Sequence, residues 1–434
     1  MATQGNPGNR RPTRPEQPAD RDERPQRSIA GIIPLGRIFS PESGNYFLLL
    51  GTTLFLVVFG LIMVLSASFV EAKANGEDPF GVFIRQSLYA IIGVPAMLIA
   101  SRMPVRFWKR WSWPAVIVGV GLQLLVFVPG IGYAYGGNRN WITIGGVNAQ
   151  PSELVKLALV VWVAWVLTAK RDLLYDWKHV AVPIAPVAGV AIGLVLLGND
   201  LGSASIILMM VLGLMFFAGV KLRFLAVGVV SIAIVGLLFA LASPSRMGRI
   251  TVWLNGCGAS DYAGDCWQSL HGTWALAAGG WFGVGIGQSK AKWSWLPEAD
   301  NDFIFAIIGE ELGLIGAMVV LLLFVVLAIA FVRIIRSTPD DFSRIATSGV
   351  MVWVIGQAFV NIGVVLGVLP VLGVPLPLIS AGGSALITTL FAIGVVLSFA
   401  RDKRRSVAPD AREAPMSAAE RSRRAAAERA RSAR

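Results

Sequence analysis

The sequence predicts an all-α polytopic membrane protein: about ten transmembrane helices, both termini cytoplasmic, and one large extracytoplasmic loop between the seventh and eighth helices. Three observations predict it. Hydrophobic residues make up 55% of the 434 and charged residues only 15%, at a mean hydropathy of +0.65; a soluble domain of this length needs more charge to cover its surface. The apolar residues fall into ten blocks, at 46–68, 83–100, 113–128, 154–167, 180–197, 203–220, 224–242, 303–335, 349–369 and 386–400. Most are near the roughly 20 residues with which a helix crosses about 30 Å of hydrocarbon. Lysine and arginine alternate between the loops that join them.

Within lipid every backbone N–H and C=O must be paired inside its own segment, so a helix is the economical spanning structure. The short alternating strands of a barrel are not evident. The first block starts after some 45 residues and is followed by no small-residue cleavage site; it reads as a retained helix, not a signal peptide. The loop after the second block carries Arg102, Arg106, Lys109 and Arg110. Later even-numbered loops carry Lys170, Arg171 and Lys178, then Lys221 and Arg223, then Arg333, Arg336 and Arg344. The loop after the first block sets Lys73 against Glu71, Glu77 and Asp78, the fifth is a short Gly198-Asn199-Asp200, and the ninth has no charge. The even-numbered loops and both termini are therefore expected in the cytoplasm. The net charge of +12 follows from that topology and from attraction to anionic lipid, and implies no nucleic-acid partner.

Residues 1–45 read as a disordered cytoplasmic tail, 46–401 as the ten-helix domain, and 402–434 as a basic cytoplasmic tail. The stretch at 243–301 is the large external loop. It opens with Arg246, Arg249 and Trp253 in a helix-compatible pattern and ends in the glycine-rich run at 279–287. Long loops in compact proteins are usually functional. Cys257 and Cys266 lie in it, nine positions apart. They are either a disulfide or two thiols, and an oxidising external face favours the disulfide.

Three polar clusters fall on that external side, where ionisable groups at membrane depth point to function. The first joins Arg139 to Glu153 and Lys156, the last two sharing a helix face; they are a cap with a local ion pair, or cations suited to a diphosphate. The second holds Asp302 at the start of the eighth helix, with Glu310 and Glu311 beyond it. Asp302 caps that helix or does chemistry, and at most one of the two adjacent glutamates is expected to share its cavity. The third is Ser380, Gly382, Gly383 and Ser384, a helix start able to bind an anion or simply capped by serine. Gln357 and Asn361, four apart, read as interhelical hydrogen-bonding residues.

The runs Gln150-Pro151-Ser152-Glu153…Lys156, Leu296-Pro297-Glu298-Ala299…Asp302-Phe303-Ile304-Phe305…Gly309-Glu310-Glu311-Leu312-Gly313 and Leu376-Pro377-Leu378-Ile379-Ser380…Gly382-Gly383-Ser384 resemble the signatures of the SEDS family (FtsW, RodA, SpoVE). Gly283…Gly285…Gly287 with Lys290, and Asp200-Leu201-Gly202, fit it too, and the resemblance spans about 46–401. The run at 60–68 and the long charged tails are closer to FtsW and SpoVE than to RodA. Two departures stand out: Asp300-Asn301 replaces His-Thr before the aspartate, and Ala381 replaces a tyrosine.

The resemblance implies a peptidoglycan glycosyltransferase that polymerises lipid II in the bacterial cytoplasmic membrane, at the division septum for the FtsW branch. It implies that Asp302 is the general base. Arg139, Lys156 and Arg249 become candidate diphosphate contacts, with a divalent cation (Mg or Mn) as a further option although the sequence shows no closed metal cage. The partners implied are lipid II, a class B penicillin-binding protein of the FtsI-like transpeptidase type, and other divisome proteins. A lipid II flippase, a RodA-like elongation polymerase and a non-catalytic scaffold are the alternatives.

Overall fold

The computed structural model describes residues 44–407 except 75, 136, 145–146, 242–243, 258–263, 265 and 294. The tail assignments at 1–43 and 408–434 lie outside the described residues. The described chain is α-helical apart from one small sheet. Its long helices are α1 (Gly44–Ala74), α2 (Gly81–Ala100), α3 (Val105–Leu125), α4 (Pro151–Ala169), α5 (Trp177–Leu197), α6 (Leu201–Phe217) and α7 (Leu222–Leu241). Two shorter helices, α8 (Pro244–Asn255) and α9 (Trp267–Gly279), belong to the large loop, and α10 (Ile304–Ser337), α11 (Asp341–Val365) and α12 (Gly383–Val407) follow. Each of the ten apolar blocks overlaps one long helix. Seven of these, α1, α2, α4, α5, α10, α11 and α12, are long and apolar enough to cross a membrane.

Helix α4 is the hub. It packs against α3, α6 and α11, and most of its residues are buried. That is why it is apolar all round, as a helix with neighbours on every side must be. Helices α6 and α11 approach closely through glycine: a Cβ on Gly213 would lie 2.7 Å from Val352, and one on Gly349 2.5 Å from Leu214. Small residues at such crossings let helices pack without a hydrophobic driving force. Helix α2 packs on α12, and α1 on α10.

The loop between α3 and α4 carries strands that the sequence reading did not assign. It folds as an antiparallel sheet of β1 (Gly132–Tyr135), β2 (Asn138–Ile144) and β3 (Val147–Ala149), with Gly132 paired to Ile142 and Ile142 to Ala149. The signal was a Gly136-Gly137 turn between Tyr-rich and Trp-Ile-Thr-Ile runs, with Gly137 at φ 82, which is hairpin chemistry.

Helix α10 is broken. Gly313 adopts φ 69 and ψ −170 within it, freeing carbonyls before the break and N–H groups after it. The glycine-rich segment takes them up. Val284 and Gly285 donate to the carbonyls of Glu310 (2.9 Å) and Glu311 (3.0 Å), while Leu314 and Ile315 donate to Gly280 (2.8 Å) and Trp281 (3.2 Å).

Candidate active site

Four helices begin around one cavity of about 270 Å³. Its lining includes Gln150 and Glu153 at the start of α4, Asp200 and Ser203 at that of α6, Asp302 just before α10, and Gly382 and Ser384 at that of α12. Helix N-termini carry partial positive charge and unpaired N–H groups, so their convergence favours an anion. Arg249 reaches the cavity from α8 in the large loop, and Asn140 from β2.

The local backbone is forced. Among the described residues, the three non-glycine positions at positive φ are Asn199 (65), Glu298 (55) and Leu378 (67). Each lies in a loop feeding this cavity, and such strain gathers where surrounding structure holds a site open. Asn361 of α11 fixes the segment that carries the acid: its Nδ2 donates to the carbonyls of Asp302 and Val374, both at 2.7 Å. Ser380 Oγ donates to the Asn301 carbonyl at 2.7 Å, and Ala381 N to that of Asp300 at 2.9 Å.

Asp302 does not cap α10. Phe303 occupies the N-cap position, and Asp302 Oδ1 is buried without a hydrogen-bond partner. Burial, then the nearby charge of Glu298 and of Asp200, pushes its pKa up to about 7, against a pull downward from Arg249. Burial and Glu298 raise Asp300 to about 6. Glu153 Oε2 and both polar atoms of Asn140 are likewise buried and unpartnered. Buried polar groups are normally satisfied, so their concentration around one cavity marks a place for a polar ligand.

The structure gathers Glu153, Lys156, Arg249, Gly382, Ser384 and Asp302 at the cavity. Lys156 is not a free cation: it pairs with Glu153 at 2.8 Å, donates to Gln357 Oε1 at 3.1 Å and lies over the Trp353 ring. Gln357 therefore ties α4 to α11, as expected of a glue residue, and also donates to the Pro375 carbonyl at 2.9 Å.

Other candidates go elsewhere. The Arg139 guanidinium donates to the carbonyls of Val126 (3.2 Å) and Phe127 (3.4 Å), closing the frayed end of α3, and does not line the cavity. Gly383 packs on Tyr89, where a Cβ would lie 2.6 Å from the ring. Ser380 Oγ is spent on loop backbone, accepting from Leu376 N at 2.8 Å. Neither Glu310 nor Glu311 lines the cavity. Glu310 accepts from Ser289 Oγ and from the backbone N of Lys290 (2.8 Å) and Ala291 (3.3 Å). Glu311 pairs with buried Lys292 at 3.0 Å and accepts from Ser66 Oγ of α1 at 2.8 Å. Their depth signalled anchoring of the loop, not chemistry. Cys257 and Cys266, with Cα atoms 5.8 Å apart, are joined as a disulfide between the end of α8 and the start of α9.

Sequence reasoning quoted Gln150 and Asp200 in the family runs but gave them no site role, and gave none to Ser203 or Asn140. Asp200 accepts from Ser203 N (2.8 Å) and Gln150 Nε2 (3.0 Å), so its cap-like position before a helix concealed its place at the site. Among the described residues, no group of three or more His, Cys, Asp or Glu side chains is placed to hold a metal ion.

A family model described as "Cell cycle protein", carrying the names FtsW, RodA and SpoVE, matches residues 46–405. The chain is 38% identical over 364 residues to "Probable peptidoglycan glycosyltransferase FtsW" of Mycobacterium tuberculosis, covering 84% of this chain and 69% of that one. It is 38% identical over 359 residues to stage V sporulation protein E of Bacillus subtilis, covering 82% and 97%. In structure it resembles RodA of Thermus thermophilus, with a TM-score of 0.62 at 26% identity over 84% of this chain and 99% of that one. It also resembles a chain of a peptidoglycan synthase complex, with a TM-score of 0.67 at 27% identity over 82% and 97%. With motifs, fold and sequence all matching along most of its length, the chain belongs to the FtsW/RodA/SpoVE family of cell cycle proteins.

Proposed function

We propose that this multi-pass membrane protein is a peptidoglycan glycosyltransferase that polymerises lipid II into glycan strands for septal wall synthesis. The observation that carries the reading is Asp302: a carboxylate with one buried, unpartnered oxygen, on the wall of a cavity where four helix N-termini meet. Asp302 takes the proton from the 4-hydroxyl of the acceptor GlcNAc. That oxygen attacks C1 of the donor MurNAc, the β-1,4 bond forms with inversion, and undecaprenyl diphosphate leaves with the bonding electrons. A pKa near 7 suits a base working at neutral pH, and such catalysis contributes about 10²–10⁴-fold. Negative charge growing on the diphosphate meets Arg249 and the converging helix dipoles, fixed charges that need no reorganisation as the bond breaks. Glu153 and Lys156 hold α4 and its N-terminus in place.

Ten crossings with both termini in the cytoplasm put the cavity on the external face of the inner membrane, where the lipid-linked disaccharide is presented. A class B penicillin-binding protein of the FtsI type is the proposed partner, since a strand must be cross-linked as it grows. The test is glycan-strand formation from purified lipid II in liposomes. Wild type is compared with Asp302→Ala, each with and without a transpeptidase inactivated at its serine. Polymer from wild type and none from the variant is expected. Polymer from both would remove Asp302 from the chemistry. Polymer from neither would leave translocation of lipid II as the reading to pursue.

A further inference from the structure

We propose that residues 280–287 are seated in the bilayer, at the outer boundary between headgroups and acyl chains, instead of standing in water as a lid over the cavity. The segment turns large apolar side chains outward: Trp281, Phe282 and Ile286 are 68%, 82% and 60% exposed. An apolar patch of that kind calls for an apolar neighbour.

Two further observations name lipid as that neighbour. The patch continues the apolar face of α10, where Leu314, Ile315, Met318, Val319 and Leu322 are also exposed. The segment's backbone is also bound into the break at Gly313 through four hydrogen bonds. Irregular backbone facing lipid is excluded from the hydrocarbon itself, which places the segment at the boundary, where headgroups and water reach the backbone groups that the break does not pair.

The depth follows from helix geometry. Arg333, exposed near the far end of α10, marks the cytoplasmic boundary. Leu314 lies 19 residues away, about 28 Å at 1.5 Å per residue, close to the roughly 30 Å of hydrocarbon. The segment bonded to Leu314 and Ile315 is thus level with the outer boundary, where tryptophan is favoured. The side of the bilayer follows from the orientation proposed above; the depth does not depend on the chemistry.

The test uses the full chain in phosphatidylethanolamine–phosphatidylglycerol liposomes. A maleimide spin label, which spares the disulfide, is placed on Phe282→Cys, Val284→Cys and Ile286→Cys. Met318→Cys on α10 is the lipid reference and Glu77→Cys, in the loop after α1, the aqueous one. Any two loop variants that elute as wild type suffice. Collision with oxygen relative to a water-soluble nickel chelate should exceed that at Glu77 several-fold and approach, without exceeding, that at Met318, which lies about 6 Å deeper. A ratio matching Glu77 would overturn the proposal in favour of an aqueous lid. Protection from both reagents would overturn it in favour of a protein neighbour. Neither outcome bears on Asp302, so this inference and the proposed activity fail separately.

Discussion

A carboxylate raised to about 7 by burial and by Glu298 and Asp200 makes a specific claim about rate. A general base works only when deprotonated, so polymerisation should rise with pH through about 7 and level off above it. Glu298→Gln removes a like charge and should move that midpoint to lower pH; a midpoint that stays put would mean another group sets the limb. The same shift has a sign for stability. The folded state holds the Asp302 proton more tightly than the unfolded chain, so the carboxylate destabilises the fold increasingly as pH rises from the ordinary Asp range to about 7. Asp302→Asn should therefore melt higher than wild type at pH 8 and equal to it near pH 4, while losing the activity that wild type shows at pH 8. Asp302 stood out through the Leu296-Pro297-Glu298-Ala299…Asp302-Phe303 run that carries the family resemblance, since residue chemistry alone left it open between a helix cap and a base. Arg139 misled because sequence cannot distinguish a guanidinium facing a ligand from one closing a helix end. Arg139→Ala should accordingly lower the melting temperature more than it changes the rate of the surviving protein. Arg249→Ala, at the cavity wall, should lower the rate with little change in melting.

At the scale of elements, the large loop is held by a lock in two parts. Lys292 pairs with Glu311 at 3.0 Å with both side chains almost wholly buried, and Gly283 fits the break in α10 so closely that a Cβ would lie 2.1 Å from the Glu311 carbonyl. Breaking a buried pair by removing one partner costs about 3–5 kcal/mol, whereas apolar replacement of both is often tolerated. Lys292→Ala should thus unfold at markedly lower temperature in detergent than the double variant Lys292→Met/Glu311→Leu. A double variant as unstable as the single would show that packing, not the unpaired charge, sets the cost. Gly283→Val, at φ 81, should also melt lower. The ten apolar helices were legible because their composition is continuous. The break at Gly313 was not, because one glycine in a long apolar run is ordinarily tolerated and the segment that fills the break, at Gly283, lies about 30 residues upstream. The sheet at 132–149 was legible in its Gly-Gly turn, but membrane patterning drew attention to blocks instead of loops.

For the whole molecule the open quantity is the number of crossings. Seven helices are individually long and apolar enough; α3, α6 and α7 complete the proposed ten. Two of these have a physical reason to fall short. Helix α3 opens with Arg106, Lys109 and Arg110, cations that can snorkel to the cytoplasmic boundary while the remainder spans. Helix α6, at 17 residues, is about 25 Å long, a mismatch that local thinning or buried position absorbs. Helix α7, at 20 residues, is apolar apart from Arg223 in its first turn. Parity separates the two counts. Ten crossings put both ends of the chain on one side; seven put them on opposite sides. A fluorescent protein that matures only in the cytoplasm, fused in turn to each end, should be bright in both fusions. Brightness at one end alone would require an odd number of crossings. With only those seven crossing, α4, α10 and α12 would be the third, fifth and seventh spans and would begin on the cytoplasmic side with the N-terminus, so the external placement of the cavity would fall with the count. A membrane-impermeant maleimide gives the independent check in intact spheroplasts. Cysteine at Glu77 should react, and cysteine at Asp172, in the loop after α4, should react only once the membrane is opened.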